Sequence, residues 1–128
     1  MKNSTPICDE DCPVRLAAEL VGHKWTTLVV RDLLSGKKRY SELQRSISGI
    51  SPRMLAARLK ELDDAGMLTR TQFATIPPTT EYELTALGRK LEKLIGALAE
   101  FGMVVQRAKK RAKKLDVQQP GTKNKGLK

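Results

Sequence analysis

Hydrophobic positions along the chain change period repeatedly, and each change marks an element. Leu16, Leu20 and Val21 recur at helical spacing behind Pro13. Proline has no N–H to satisfy and suits a first helical turn, so a helix over 14–21 is predicted, with Cys12 at its cap and Gly22 at its end. Trp25, Leu28, Val29 and Leu33 share one face of a second helix over 23–34, closed by Gly36. Thr26 and Thr27 lower its propensity slightly without forbidding it. Lys37-Lys38-Arg39 reads as a short extended link or a stub of strand.

The stretch 40–68, YSELQRSISGISPRMLAARLKELDDAGML, organises what surrounds it. A first short helix over 40–47 has Leu43 and Ile47 four residues apart on one face. Ser48-Gly49-Ile50 is a turn in which Gly49 takes a positive φ that a Cβ would resist. Ser51 is an N-cap and Pro52 a first helical residue, opening a second helix that runs to Ala65 and stops at Gly66. On it Leu55, Leu59 and Leu62 form one stripe, with Arg53, Ala57 and Lys60 roughly opposite. Two short helices, a glycine turn and a basic outer face make a helix-turn-helix, whose second helix is the usual major-groove reader. A solvated helical hairpin within an all-α domain is the plainer alternative.

Alternation then replaces the helical period. Residues 68–73 (LTRTQF) and 80–84 (TEYEL) read as strands, with Tyr82 and Leu84 on one face and Glu81 and Glu83 on the other. Pro77 and Pro78 exclude a central strand between them and stiffen a loop tip. A hairpin directly after a reading helix is the wing of a winged helix, lying against the backbone or minor groove. Thr85 next caps a long helix over 86–110, along which Leu87, Leu91, Leu94, Ile95, Leu98, Phe101 and Val105 recur. Such a stripe exceeds what a small domain needs for its own core, so self-association with help from the first helix is expected. An association face and a face packed on its own domain look identical in sequence.

The predicted fold is therefore mainly α with a small β-hairpin wing: a winged helix-turn-helix with a long C-terminal helix for dimerisation. Its organisation is a flexible segment 1–11, the winged domain with its dimerisation helices over 12–105, and a basic helix end with a disordered tail over 106–128. That basic end, 107–114, either tracks phosphates or complements the helix dipole.

A chain of 128 residues builds one core without staples. No run approaches a membrane span and the N-terminus has no signal-peptide core, so the cytoplasm is the default and no membrane partner is expected. The net charge is +10, and its location matters more than its size. Seven basic residues and one acid between 37 and 60 put +6 on the helix-turn-helix, while 101–128 carries +8 and 61–100 carries −3. Positive charge focused on one element is the footprint of a phosphate-binding surface. A single histidine, and the lack of a Gly-rich phosphate loop, a nucleophile elbow or paired carboxylates, argue against an enzyme, and no cofactor is expected.

Cys8 and Cys12 are the two cysteines. A helix N-terminus favours a Cys12 thiolate, and Asp9, Glu10 and Asp11 oppose it. The competing readings are a small apolar filler, a Cys8–Cys12 bridge, or a metal held with His23; the last lacks the usual paired ligand clusters, so no metal site is expected.

Cys12-Pro13-Val14, Gly22-His23-Lys24-Trp25, Tyr40-Ser41-Glu42-Leu43, Gly49-Ile50-Ser51-Pro52-Arg53-Met54-Leu55, Leu59-Lys60-Glu61-Leu62, Gly66-Met67-Leu68-Thr69-Arg70, Pro77-Pro78 and 81–88 (EYELTALG) occur in that order. Together they resemble the HxlR-type winged helix-turn-helix regulators of bacteria and archaea, relatives of the MarR group. The resemblance covers 12–102 and implies a dimeric transcription regulator joined through its first and last helices, here Leu16, Leu20, Leu91, Leu94, Ile95, Leu98, Phe101 and Val105. It also implies an oxidant- or electrophile-sensing role for a cysteine near the N-terminus, the place of Cys12. The family's usual Trp-Gly is Phe101-Gly102 here, and no cysteine follows Cys12 to serve an intersubunit bridge.

In double-stranded DNA, two such units on a two-fold axis meet major-groove faces about 34 Å apart, so a near-palindromic operator is expected. Ser51, Arg53, Met54 and Ala57 lie on the leading turns, and the fork of Arg53 suits a guanine. Ser41, Gln44, Lys37, Lys38, Arg39 and Lys60 are expected on phosphates, with Thr75 and Thr79 as wing contacts. Arg58 lies nearer the packed edge, where Glu61 competes with DNA for it. An architectural DNA binder with little sequence preference, or a regulator answering a small molecule without cysteine sensing, are the alternatives.

Overall fold

The computed structural model describes residues 11–118. Cys8, the rest of the expected flexible segment before Asp11, and residues 119–128 of the expected tail lie outside it. Two compact units meet between Glu92 and Lys93.

The first unit holds α1 (Pro13–Val21), α2 (Lys24–Leu33), β1 (Lys38–Arg39), α3 (Tyr40–Ser46), α4 (Pro52–Asp64), β2 (Leu68–Phe73), β3 (Thr79–Leu84) and α5 (Ala86–Arg89). Side-chain caps fix where its helices begin. His23 Nδ1 accepts the Trp25 N–H at 3.1 Å, which starts α2 at Lys24. Glu42 Oε1 accepts the Arg39 N–H at 2.8 Å ahead of α3, and Ser51 Oγ accepts the Met54 N–H at 3.0 Å ahead of α4. Each satisfies a donor that the first helical turn leaves orphaned. Gly49 at φ 88° and Gly66 at φ 77° make the turns on either side of α4, where a Cβ would be strained.

Val29, Val30, Leu33, Leu43, Ile47, Leu55, Leu59, Leu62, Leu68 and Leu84 are buried and make most of the core. The leucine stripe of α4 is inward as its spacing requires. The face of α2 differs from expectation: Thr26, Val29, Val30 and Leu33 are buried, while Trp25 and Leu28 are only half-buried. α2 meets α1, α3, α4 and β3, so its burial is shared among several neighbours and no single apolar stripe decides it. Trp25 instead reaches the helix-turn-helix turn, its ring edge near Gly49.

The wing is three-stranded, where the sequence suggested two strands. The stub 38–39 pairs with β3, giving the order β1-β3-β2, all antiparallel. Leu68 lies opposite Leu84 and Arg70 opposite Tyr82.

The long helix expected over 86–110 is broken at Lys90 and Leu91. The Lys90 N–H reaches Leu87 C=O at 3.1 Å and the Leu91 N–H reaches Gly88 C=O at 3.0 Å, the tighter bonding that ends a helix. Upstream, Thr85 Oγ1 donates to Gly66 C=O at 2.7 Å and accepts the Gly88 N–H at 3.1 Å, and the Thr85 N–H bonds Met67 C=O at 2.9 Å. α5 is therefore tied to the entrance of β2, and a Cβ on Gly88 would collide with the Met67 carbonyl.

The second unit begins at Lys93, one residue into α6 (Glu92–Gln118), a helix that continues through 115–118, where the sequence suggested a tail. Leu94, Leu98, Phe101, Val105, Ala108, Ala112 and Leu115 follow one another at alternating steps of four and three. That is a heptad seam, the period at which a helix follows another helix.

Gly88→Ala is expected to destabilise the protein by about 3 kcal/mol or more, since the clash is with backbone that cannot rotate away. Gly96→Ala, with nothing within 4 Å of its Cβ, should gain ~0.5–1 kcal/mol as a helical position relieved of glycine. Urea denaturation of the two variants measures both.

Candidate nucleic-acid interface

Burying the leucines of α4 turns Arg53, Ala57 and Lys60 away from the core, together with Asp64. Arg53 is exposed on the first turn, and no acid among the described residues pairs with it. Met54 and Ala57 are half-buried beside it. Ser51 is exposed; its oxygen caps the helix and its hydroxyl proton is still available to donate. Lys60 is not a bare cation, because its Nζ lies 3.3 Å from Asp64 Oδ2. Both side chains are well exposed, so this i,i+4 pair contributes only about 0.3–0.5 kcal/mol and gives way readily to a phosphate. Arg58 follows the alternative weighed for it, pairing with Glu61 at 3.0 Å with its side chain mostly covered.

Around the start of α3, Lys37, Arg39 and Ser41 are exposed, and Lys38 is half-buried with Nζ donating to Ser35 Oγ at 2.8 Å. Arg39, Tyr40 and Ser41 face Pro77, Pro78, Thr79 and Thr80 across an open cavity of about 350 Å³. The fold thus brings together Arg39, Ser41 and Thr79, which the sequence could place only on separate elements. Thr75 Oγ1 donates to Pro77 C=O at 2.7 Å and lies 3.3 Å from Thr79 Oγ1, so both hydroxyls serve the wing loop.

Gln44, expected on a phosphate, has its amide engaged within the fold. Its Nε2 donates to Ile50 C=O at 2.6 Å and its Oε1 is buried, which makes it a brace inside the turn. Tyr40 adds a second brace, donating its hydroxyl to Pro52 C=O at 2.8 Å and so joining the starts of α3 and α4.

Arg70 is a cation that the sequence reading passed over. It shares a shallow cavity of about 290 Å³ with Ala56, Leu59, Lys60, Asp63 and Tyr82, between α4 and the wing. The alternation of LTRTQF carried the signal, since Arg70 shares a strand face with Leu68. Burial pushes the Tyr82 phenol above its ordinary range, against the pull of Arg70 and with a push from Tyr40 and Asp63. A raised value favours the protonated folded form, so the stability it contributes is intact at neutral pH and is lost only as pH climbs through the phenol's own range.

Cys12 is half-buried at the cap position of α1, where its C=O accepts the Leu16 N–H at 3.0 Å. His23, the metal partner considered for it, uses Nδ1 as a helix cap. On α1, Val14 and Leu16 are 75% and 65% exposed, and Leu20 is half-buried. On α6, Leu94, Leu98 and Phe101 are exposed, with Ile95 and Val105 half-buried; Leu91, in the turn before it, is half-buried too. No helix of the described residues is long and apolar enough to cross a membrane.

A glycine-turn helix pair with a three-stranded wing and an exposed arginine on its second helix defines a winged helix-turn-helix protein of the DNA-binding class. The chain belongs to the HxlR-like helix-turn-helix family, whose model matches residues 20–125. It is 37% identical over 93 residues to the HTH-type transcriptional regulator YybR of Bacillus subtilis strain 168, spanning 73% of this chain and 74% of that protein. Among solved structures, a MarR-family transcriptional regulator from Porphyromonas gingivalis W83 is 41% identical with a TM-score of 0.74, covering 77% of this chain and 97% of that one. The redox regulator HypR in its oxidised form is 35% identical with a TM-score of 0.68, covering 73% of this chain and 96% of that one. The protein is a transcriptional regulator of the HxlR and MarR type; its family and relatives are not enzymes.

Gln44→Ala is expected to lower stability by about 1–2 kcal/mol, through loss of a part-buried hydrogen bond. It should leave the salt dependence of DNA binding unchanged, whereas loss of a phosphate contact would reduce the slope by about 0.9. Denaturation and salt titration of this one variant separate brace from grip.

Proposed function

We propose that this regulator is a homodimer that binds a near-palindromic operator sequence-specifically in the cytoplasm. The observation that carries the reading is the outward, unpaired Arg53 on a helix whose opposite face is locked into the core. Around it, Ser51, Met54, Ala57 and Lys60 complete the surface offered to base edges and adjoining phosphates. Lys37, Lys38, Arg39 and Ser41 grip the backbone at the start of α3, and Thr75 and Thr79 shape the wing loop. The 4-3 seam of α6 and the exposed apolar residues of α1 support self-association. A heptad seam calls for a second helix, and a two-fold axis sets the half-site spacing at one helical turn.

The likeness to HypR, a redox regulator, supports a sensing role for Cys12 in response to oxidants or electrophiles. Its place at the cap of α1, on an element with exposed Val14 and Leu16, would let a modification there bear on the association of two copies. A small-molecule effector without cysteine chemistry is the second reading.

Arg53→Ala should weaken operator binding by ~1–3 kcal/mol and blunt preference at one position, while Lys38→Ala should weaken all sequences alike and flatten the salt dependence. Gel-shift titration at several salt concentrations tests this; equal, sequence-blind losses for both variants would defeat the assignment.

Diamide or a quinone should change operator affinity of the parent protein and leave Cys12→Ser unaffected. An unchanged parent would remove the sensing role and leave DNA binding in place.

A further inference from the structure

We propose that the tip of the wing is an uncharged wedge, with Ile76 entering the minor groove beside each half-site and parting a base step there. The inference rests on the reading of α4 as the major-groove element. Residues 71–80 (TQFATIPPTT) contain no charged side chain in a chain of net charge +10. A tip built for phosphates would carry cations, and this one carries none; its one amide side chain, Gln72, lies on β2 below the loop. Its hydroxyls are turned onto the loop itself: Thr75 Oγ1 donates to Pro77 C=O at 2.7 Å and lies 3.3 Å from Thr79 Oγ1. Phe73 pairs with Thr79 at the neck, and Pro77 and Pro78 restrict the backbone beyond it.

What this braced loop presents outermost is the Ile76 side chain, 99% exposed. A branched hydrocarbon wholly in water adds nothing to the fold, and gains only when another surface covers it. Isoleucine and proline are among the side chains that architectural proteins press between base pairs from the minor groove. The backbone contact such a wedge needs beside it is supplied below the tip, where Arg39 and Ser41 face Pro77 to Thr80 across the cavity. A wedge of this kind reads deformability, so it favours the pyrimidine–purine steps that unstack most readily.

The test uses the full chain and an operator selected from a random duplex pool, with 2-aminopurine placed in turn at each step flanking a half-site. Binding should raise the fluorescence at one flanking step. Ile76→Ala should abolish that rise, weaken binding roughly tenfold or more as one buried isoleucine side chain is withdrawn, and leave the salt slope and thermal melt unchanged. Exchanging a flanking TA step for AA should weaken the parent protein and add nothing to the loss in Ile76→Ala. Unchanged affinity for Ile76→Ala would overturn the wedge, as would a loss of affinity with no change in stacking, the pattern of a contact made elsewhere. In either case a loss of operator preference in Arg53→Ala would keep the α4 reading intact. Failure to select any duplex would overturn both.

Discussion

Burial of Leu55, Leu59 and Leu62 is the interaction on which the reading surface depends. Each is at most 2% exposed, and each such burial is worth about 1.5–3 kcal/mol. Turning α4 about its axis by one residue would expose part of that stripe and drag charged side chains inward, which no surface contact could offset. The outward direction of Arg53 is thus a consequence of core packing. The start of the helix is held as firmly, by the Ser51 cap, the Tyr40 hydroxyl on Pro52 C=O and the Gln44 amide on Ile50 C=O. These three bonds surround one turn, so a polar side chain that looked like a phosphate donor is worth more to the interface as part of its frame.

Charge is distributed along this surface according to what each part must do. The first turn of α4 carries a cation with no acidic partner among the described residues, its last turns carry Lys60 beside Asp64, and the wing loop carries no charge. A uniformly cationic surface would bind every duplex alike, since phosphate attraction contains no sequence information. Pairing Lys60 with Asp64 trims that background by a small amount, and a neutral loop adds none. On the proposed reading, discrimination is then left to the few groups on the leading turns of α4.

Elements whose pattern has a single cause were legible. The leucine stripe of α4, the serine cap followed by proline, the glycine turn and the alternation of 68–73 and 80–84 each report one local requirement. The face of α2 was not legible, because four neighbours share it and Thr26 is covered although its polarity argues otherwise. The break at Lys90 was not legible either. Leu87, Leu91 and Leu94 keep a helical spacing straight through it, while the ties that hold α5 are non-local, from Thr85 back to Gly66 and Met67. β1 was half-legible: its extended backbone was foreseen, but its pairing with β3 is a non-local contact that three basic residues do not announce. At the candidate site, residues could be assigned singly. The cavity that gathers Arg39, Ser41 and Thr79 exists only once the wing folds back past α3.

The period of α6 separates two uses of its apolar face that composition leaves equal. A helix laid on a globular core buries a stripe with the natural 3.6-residue period, drifting around the helix axis with each heptad written against it. Leu94, Leu98, Phe101, Val105, Ala108, Ala112 and Leu115 do not drift in that way; they hold a period of 3.5 across the helix. In the proposed dimer, the partner that winds along such a seam is the same helix of a second copy. Flanking it, Lys109 and Arg111 in the distal part stand beside the small residues Ala108 and Ala112, where close approach brings like charges together. Association there is weakened just where the seam is thinnest, so Leu94, Leu98 and Phe101 must supply most of the contact energy in the proposed dimer, with the basic end left exposed in each copy.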